Sequence, residues 1–315
     1  MINEKTNAPA GGATIRRNAG RNAGGNTRGN TRRNTRRFRR SLTDRVMYGL
    51  MALTLILVLA VLVFILAYIL GQSAGYLNLS FVIRSAEEGG IYPMVITTLY
   101  VVLVSLGISL PVGVMTAVFL NEYSRNTRTV RLLRLAIETL AGIPSILYGL
   151  FGLLVFCRVF RFGQSVIAGA FTLSIMILPV IIRTTEESLK TIPDSFREGS
   201  LSLGAAKYQT IFHVILPSAL PGIVTSAILA IGRVVGESAP VLLTVGITRN
   251  IPRSIFDSGR TLTIHLYYLT KEAINPGDFG VAFATAAILI ILVIIINTAT
   301  KIISKGFKKR LGGGL

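Results

Sequence analysis

The chain has 315 residues, of which 51% are hydrophobic and only 15% charged, with a mean hydropathy of +0.62. Soluble domains carry about 25% charged residues, so an ordinary soluble fold is excluded. A single cysteine, Cys157, excludes an internal disulfide and a cysteine-based metal cluster. The two histidines, His213 and His265, lie far apart with no carboxylate or cysteine at ligand spacing, so neither a metal nor a cofactor is expected.

The formal net charge of +19 is concentrated at the start of the chain, where residues 1–45 hold 12 of the 33 Lys/Arg and two acids. This stretch is rich in Asn, Gly, Thr and Arg and nearly free of apolar side chains. It cannot bury enough surface to offset chain entropy, which predicts a disordered basic tail. Because the tail leads directly into an apolar run, it reads as an anchor on anionic lipid, at about 1 kcal/mol per basic residue. Nucleic acid is not the expected partner. A cleavable signal peptide is not expected either, since both the basic region and the run after it are too long.

From Val46 onward the apolar residues come in blocks. Crossing about 30 Å of hydrocarbon takes about 20 helical residues. Val46–Leu70, Gly89–Asn121 and Phe279–Thr300 carry no charge, and neither does Phe162–Ile182. Leu135–Cys157 holds only Glu138, and Leu216–Thr248 only Arg233 and Glu237. The expectation is an all-α membrane protein with six transmembrane helices, at about 46–70, 93–120, 135–157, 163–182, 216–246 and 279–300. Residues 46–315 then form one transmembrane domain, the first span standing in front of a five-helix core. With the N-terminus inside, the inner segments hold 25 basic residues and the outer ones 7. Basic residues stay on the cytoplasmic side during insertion, which puts both termini there. Tyr76, Tyr92, Tyr123, Tyr267 and Tyr268 read as anchors at the interfaces. The outer segment 246–279, with Pro252, Pro276 and several glycines, reads as a structured cap.

Smaller features carry weaker expectations. Gly142, Pro144, Gly149 and Gly152 suit tight packing and a kink in the third span. Glu138, one turn after Arg134, suits a local helix pair. Arg183, Glu186 and Glu187 read as solvated at the inner end of the fourth span.

The segment from Arg183 to His213 is long and balances four basic against four acidic residues, so charge is not its purpose. It runs Glu198-Gly199-Ser200-Leu201-Ser202-Leu203-Gly204, then nine residues, then Val214-Ile215-Leu216-Pro217. Physically this is two short helices turned at Gly204, which has no Cβ. Asp194 or Ser195 would cap the first. Pro217 and Pro221 suit the opening turns of the helix that follows.

This constellation resembles the EAA loop of ABC-importer permeases, Glu-Ala-Ala, then Gly, then Ile-x-Leu-Pro. Here Gly199 and Ser200 stand for the two alanines and Val214 for the isoleucine. The resemblance implies a MetI-like permease core in which loop 191–213 couples to an ATPase through Glu198, Gly199, Ser200, Gly204, Leu216 and Pro217. No G-x-x-x-x-G-K-[ST] phosphate loop occurs in the chain. ATP hydrolysis would therefore belong to another polypeptide, and the chain itself is not expected to be an enzyme.

Three further passages narrow the resemblance: Ser109-Leu110-Pro111-Val112-Gly113 through Asn121-Glu122-Tyr123, Ala141 to Gly152, and Ala230 to Pro240. Together they are similar to the A-type permeases of phosphate-specific ABC importers over roughly residues 45–305. That family implies a second, C-type permease, an ATPase dimer and an extracytoplasmic phosphate-binding protein as partners, in a bacterial or archaeal cytoplasmic membrane. In the fifth span Arg233 and Glu237, four apart, can share a helix face and pair. Charges inside a membrane helix normally face a bundle interior or an aqueous path. Arg233 lies about 24 Å along the helix from Pro217, and its guanidinium fork suits an oxyanion. Gly232 and Gly236 beside it would let a partner helix come close. A pathway or gate role is set against a purely structural ion pair. Two rival functions are a permease for another oxyanion, such as sulfate or molybdate, and an ATP-independent secondary transporter. The latter calls for coupling-ion carboxylates or repeated halves, and the sequence displays neither.

Overall fold

The computed structural model describes residues 27–124 and 128–311, and leaves undescribed the side chains of 27–43, 276, 304 and 307–311. All regular structure among the described residues is helical. The helices are α1 (Thr27–Ser73), α2 (Leu79–Ile83), α3 (Tyr92–Val118), α4 (Arg128–Gly142), α5 (Ser145–Gly152) and α6 (Val166–Lys190). After them come α7 (Asp194–Ser202), α8 (Lys207–Thr210), α9 (Leu216–Gly236), α10 (Ala239–Thr244), α11 (Leu262–Glu272) and α12 (Pro276–Leu311). π-helical turns extend α3 over Phe119–Tyr123 and α5 over Leu153–Val159, and a third at Ile211–Ile215 leads into α9.

The chain divides into two compact units, at Met1–Ile65 and Leu66–Leu315. In the first, α1 begins at Thr27; residues 1–26 of the basic segment expected to be a disordered tail lie outside the described residues. Once a long apolar span has nucleated the helix, each further turn upstream adds a hydrogen bond without a new nucleus. Leu53, Ile56 and Leu57 on this helix each leave about three fifths of their surface exposed. In water that would be an aggregation surface, whereas in hydrocarbon it is the normal state of a span.

The second unit is built on α3, α6 and α9. Their shared core includes Val101, Val102, Leu173, Met176, Ile177, Ile181, Ile231 and Val234. Inside it the Ser174 hydroxyl donates to the Ser105 carbonyl at 3.0 Å, tying α6 to α3. The last turns of α1 belong to this unit, and Tyr68 meets Phe283 of α12 edge to face, with ring centroids 5.6 Å apart.

Segments 44–73, 92–123, 166–190, 207–236 and 277–303 are each long and apolar enough to cross a membrane. The third apolar block, expected at 135–157 with a kink, is bent more sharply than a kinked span. It is broken at Gly142–Pro144 into α4 and α5, which meet at 101°. Pro144 has φ −56 and ψ 138, and with no amide hydrogen it cannot continue a helical ladder. The fifth span also departs from the expected 216–246: α9 stops at Gly236, Glu237 turns extended at φ −77, ψ 132, and α10 begins at Ala239.

The two interrupted regions pack on each other. A Cβ at Gly149 of α5 would stand 2.8 Å from the Pro240 Cα of α10, a backbone atom that cannot swing aside. Gly149→Ala is therefore expected to lower stability by about 1–3 kcal/mol, the cost of overpacking. Gly107→Ala, where nothing lies within 4 Å, should be close to neutral. Thermal unfolding of the purified variants in detergent checks the difference.

Candidate functional site

The loop expected to carry function is built from the end of α6. Lys190 closes that helix, and Pro193, with φ −58 and ψ 143, turns the chain into α7. Neither Asp194 nor Ser195 caps α7; Pro193 occupies that position and Asp194 lies in the first turn. Gly204 ends the helix at φ +84, the left-handed turn that its missing Cβ permits. α8 follows, its first amide closed by the side chain of Gln209, which accepts from Ala206 N at 2.8 Å.

No residue of α7 is buried. Glu198 and Gly199 face outward, Ser200 is half-buried with its hydroxyl 2.9 Å from that of Thr210, and Leu216 and Pro217 open α9 half-buried. Phe196, Leu201, Leu203, Tyr208 and Phe212 are exposed on the same loop. A cluster of uncovered apolar side chains on a polar, well-hydrogen-bonded loop is the signature of a protein contact.

Sequence reasoning missed what holds α7 in place. Arg197, in the middle of the loop, reaches Glu122 in the π-helical turn after α3, with Nη2 2.8 Å from Oε1. The two residues lie 75 positions apart, so no local pattern could reveal the pair. Glu122 in turn accepts from the Asn121 amide at 2.8 Å. Its carboxylate holds the Arg197 guanidinium above its ordinary pKa, so the arginine stays charged.

Other charges at this end are also arranged differently from expectation. Arg134 does not pair with Glu138 but with Glu186, at 2.8 Å, joining α4 to α6. Glu186 is buried rather than solvated, and Lys190 reaches the same oxygen at 2.8 Å. A carboxylate against a helical scaffold is retained there because two cations compensate it. Arg183 and Glu187 do form an exposed pair, at 3.6 Å.

The second site lies at the far end of α9. Arg233 Nε is 3.7 Å from Glu237 Oε1, with the side chains 32% and 18% exposed. They do not share a helix face, because Glu237 sits beyond the last turn. The break puts the free carbonyl end of α9 next to a guanidinium, which the helix dipole favours. Thr263 of α11 donates to the Glu237 carbonyl at 3.1 Å and so fixes the extended residue. Gly232 and Gly236 have open space where a side chain would stand, and Leu229 and Thr225 continue that exposed face down the helix. Broken helices with polar side chains at membrane depth are tolerated where they line a cavity or another protein surface.

Segment 246–279 is structured. Carbonyls of Asp257 and Ile255 accept from Val166 N at 3.0 Å and Ile167 N at 2.8 Å, satisfying amides at the start of α6. Arg260 is buried, donating to the Ile247 carbonyl at 2.9 Å and lying 4.6 Å from the centre of the Tyr268 ring. Burial and the nearby Arg249 lower its pKa. Burial, then Arg260 and Arg249, push His265 down to about 4. Among the described residues no group of three or more His, Cys, Asp or Glu is placed to hold a metal.

This geometry is that of a multi-pass helical membrane protein with an exposed polar loop at one end of α9 and an interrupted, charged segment at the other. The family model for the inner membrane component of binding-protein-dependent transport systems matches residues 109–312. The chain belongs to that family, the permeases of ABC importers. It is 38% identical over 228 residues to the phosphate transport system permease protein PstA 1 of Mycobacterium tuberculosis (strain CDC 1551 / Oshkosh), covering 72% of this chain and 74% of the relative. Against the probable ABC transporter permease protein YqgI of Bacillus subtilis (strain 168) it is 34% identical over 239 residues, covering 72% and 81%. Among solved structures, an inward-facing MetNI methionine ABC transporter is similar at 26% identity and TM-score 0.54, covering 69% of this chain and 94% of the other. A bacterial alginate ABC transporter shares the fold at TM-score 0.64 and 13% identity, over 86% and 98%.

The depressed His265 sets a pH dependence. Below pH 6.5 the unfolded segment binds a proton that the folded one refuses until about pH 4. Stability is thus full above pH 6.5 and falls as the pH drops towards 4, by at most about 1.4 kcal/mol per unit. Amide protection factors in residues 259–272, which correct each exchange rate for its intrinsic pH dependence, are expected to fall between pH 7 and 5 in the wild type, and to do so much less in His265→Gln.

Proposed function

We propose that this chain is the A-type permease of a phosphate importer, forming half of a transmembrane conduit driven by ATP hydrolysis on a separate subunit. Relatives named as phosphate transport permeases support the substrate. The observation that carries the reading is the break in α9: a half-buried Arg233–Glu237 pair, 3.7 Å apart, beside an open face of small residues. A guanidinium fork suits a tetrahedral oxyanion. The weakly held Glu237 competes for it, so phosphate is bound without being trapped, as a conduit requires.

In this reading the open face of α9 at Leu229, Gly232 and Gly236 meets a second, C-type permease, and the path runs between the two. The α7 loop faces the cytoplasm, where Glu198, Gly199, Ser200 and Gly204 present the docking surface to one ATPase of a dimer, with Leu216 and Pro217 passing its motion into α9. Segment 246–279 caps the outer side, where an extracytoplasmic phosphate-binding protein delivers its cargo. The excess of basic residues on the inner segments supports this orientation, 25 against 7, in a bacterial or archaeal cytoplasmic membrane. The basic tail rests on anionic lipid.

Arg233→Gln is expected to reduce ATP-dependent phosphate uptake by the reconstituted complex at least tenfold while all subunits still co-purify. Normal uptake by the variant would assign the pair to helix packing. Equal competition by sulfate or molybdate in the wild type would redirect the substrate.

A further inference from the structure

The α7 helix buries none of its own residues, so apolar packing does not fix it to the spans. It is covalently continuous with α6 through Thr191–Pro193 and with α9 through the Gly204 turn. An open cleft of about 680 Å³ separates it from the ends of α3 and α6, lined among others by Asn121, Glu122, Lys190, Arg197 and Lys207. From α7 the Arg197 side chain crosses that cleft, and from α8 Lys207 reaches over it, its Nζ 4.9 Å from the centre of the Tyr123 ring.

Arg197 uses every nitrogen of its guanidinium. Nε donates to both Glu122 oxygens, at 3.3 and 3.2 Å, and Nη2 to Oε1 at 2.8 Å. Nη2 also donates to the Leu189 carbonyl at 3.2 Å, and Nη1 to the Ile192 carbonyl at 2.9 Å and the Asp194 carboxylate at 3.1 Å. The Glu122 side chain is only 7% exposed and that of Arg197 19%. A planar fork spread over this many acceptors has little freedom left. The acceptors belong to three places: the π-helical turn that ends α3, the carbonyl end of α6, and the first turn of α7 itself.

We propose that Arg197 is a strut that makes α7, the end of α6 and the end of α3 move as one body, so that a push on the loop reaches α3 as well as the two helices it is joined to by the chain. Without the strut, α7 swings about Pro193 and Gly204, and the push is absorbed in the cleft. Ser200, bonded to Thr210, provides the matching attachment on the α8 and α9 side. Arg197 is a positioning residue: it faces the spans, and the docking surface is made by its neighbours. The inference rests on the importer reading, in which an ATPase grips α7.

The test measures phosphate uptake and ATP hydrolysis together in liposomes holding the complete complex, supplied with phosphate-loaded binding protein. Arg197→Gln is expected to move at least tenfold less phosphate for each ATP hydrolysed. Arg197→Lys, which keeps the charge but not the fork, should fall in between. Arg197→Gln leaves a poorly solvated carboxylate without its partner, so a drop in folding is a competing explanation. The double variant Glu122→Gln/Arg197→Gln removes that carboxylate charge as well, and is expected to regain thermal stability yet stay uncoupled. A double variant that recovers the wild-type ratio along with its stability would overturn the strut, as would uptake and hydrolysis falling in parallel in every variant. Wild-type uptake that needs no ATP would instead remove the importer reading itself, a result distinct from any change of ratio.

Discussion

Hydrocarbon offers no partner to a backbone N–H or C=O, so each such group must be satisfied within the protein. This one constraint shapes the molecule. It makes the spans helical and requires their ends to be closed by the chain itself. Where α6 begins, the carbonyls of Ile255 and Asp257 provide that closure. Where α9 is interrupted, Thr263 holds the carbonyl of Glu237. An interruption that has to be supported from a distant segment is expensive to maintain, which is why the two broken regions, α4–α5 and α9–α10, are informative about function. They lie against each other through the contact of Gly149 with Pro240, so neither can shift alone.

The two functional regions are opposite ends of the same elements. α9 starts at the loop and carries Arg233 in its last turn, and α6, through its core with α3, runs beside it. A displacement of α7 therefore has a covalent route to the Arg233–Glu237 pair through α9. It has a second route, through Arg197 and Glu122, to α3. Two routes turn the loop from a tether on one helix into a handle on three. The pair stands 3.7 Å apart, and on the proposed function such motion would change whether Glu237 or an incoming oxyanion occupies the guanidinium.

Much of this was legible in the sequence, and the parts that were not share a cause. Apolar blocks gave the long helices because length and hydropathy are local properties. The turn at Gly204 and the bend at Gly142–Pro144 could be read because glycine and proline act on their own backbone. The end of α9 at Glu237 was hidden, since Gly-Glu-Ser-Ala-Pro carries no stop signal stronger than the apolar run around it; the break depends on Thr263 and on packing against α5. Glu186 and Glu122 were misjudged or missed for the same reason. Their partners, Arg134 and Arg197, come from elements distant in the chain, and local spacing pointed instead to Glu138 and to solvent.

The central claim is that the loop around α7 is the surface a separate ATPase grips on the cytoplasmic side. Leu203 lies at its tip, 90% exposed, and the chain's own cysteine, Cys157, is buried. A cysteine at Leu203 would therefore report on that surface alone. The account predicts that a membrane-impermeant maleimide labels Leu203→Cys in inside-out vesicles but not in intact cells, and that assembly with the ATPase subunits protects it. Labelling from the outside, or labelling that the ATPase leaves unchanged, would contradict it.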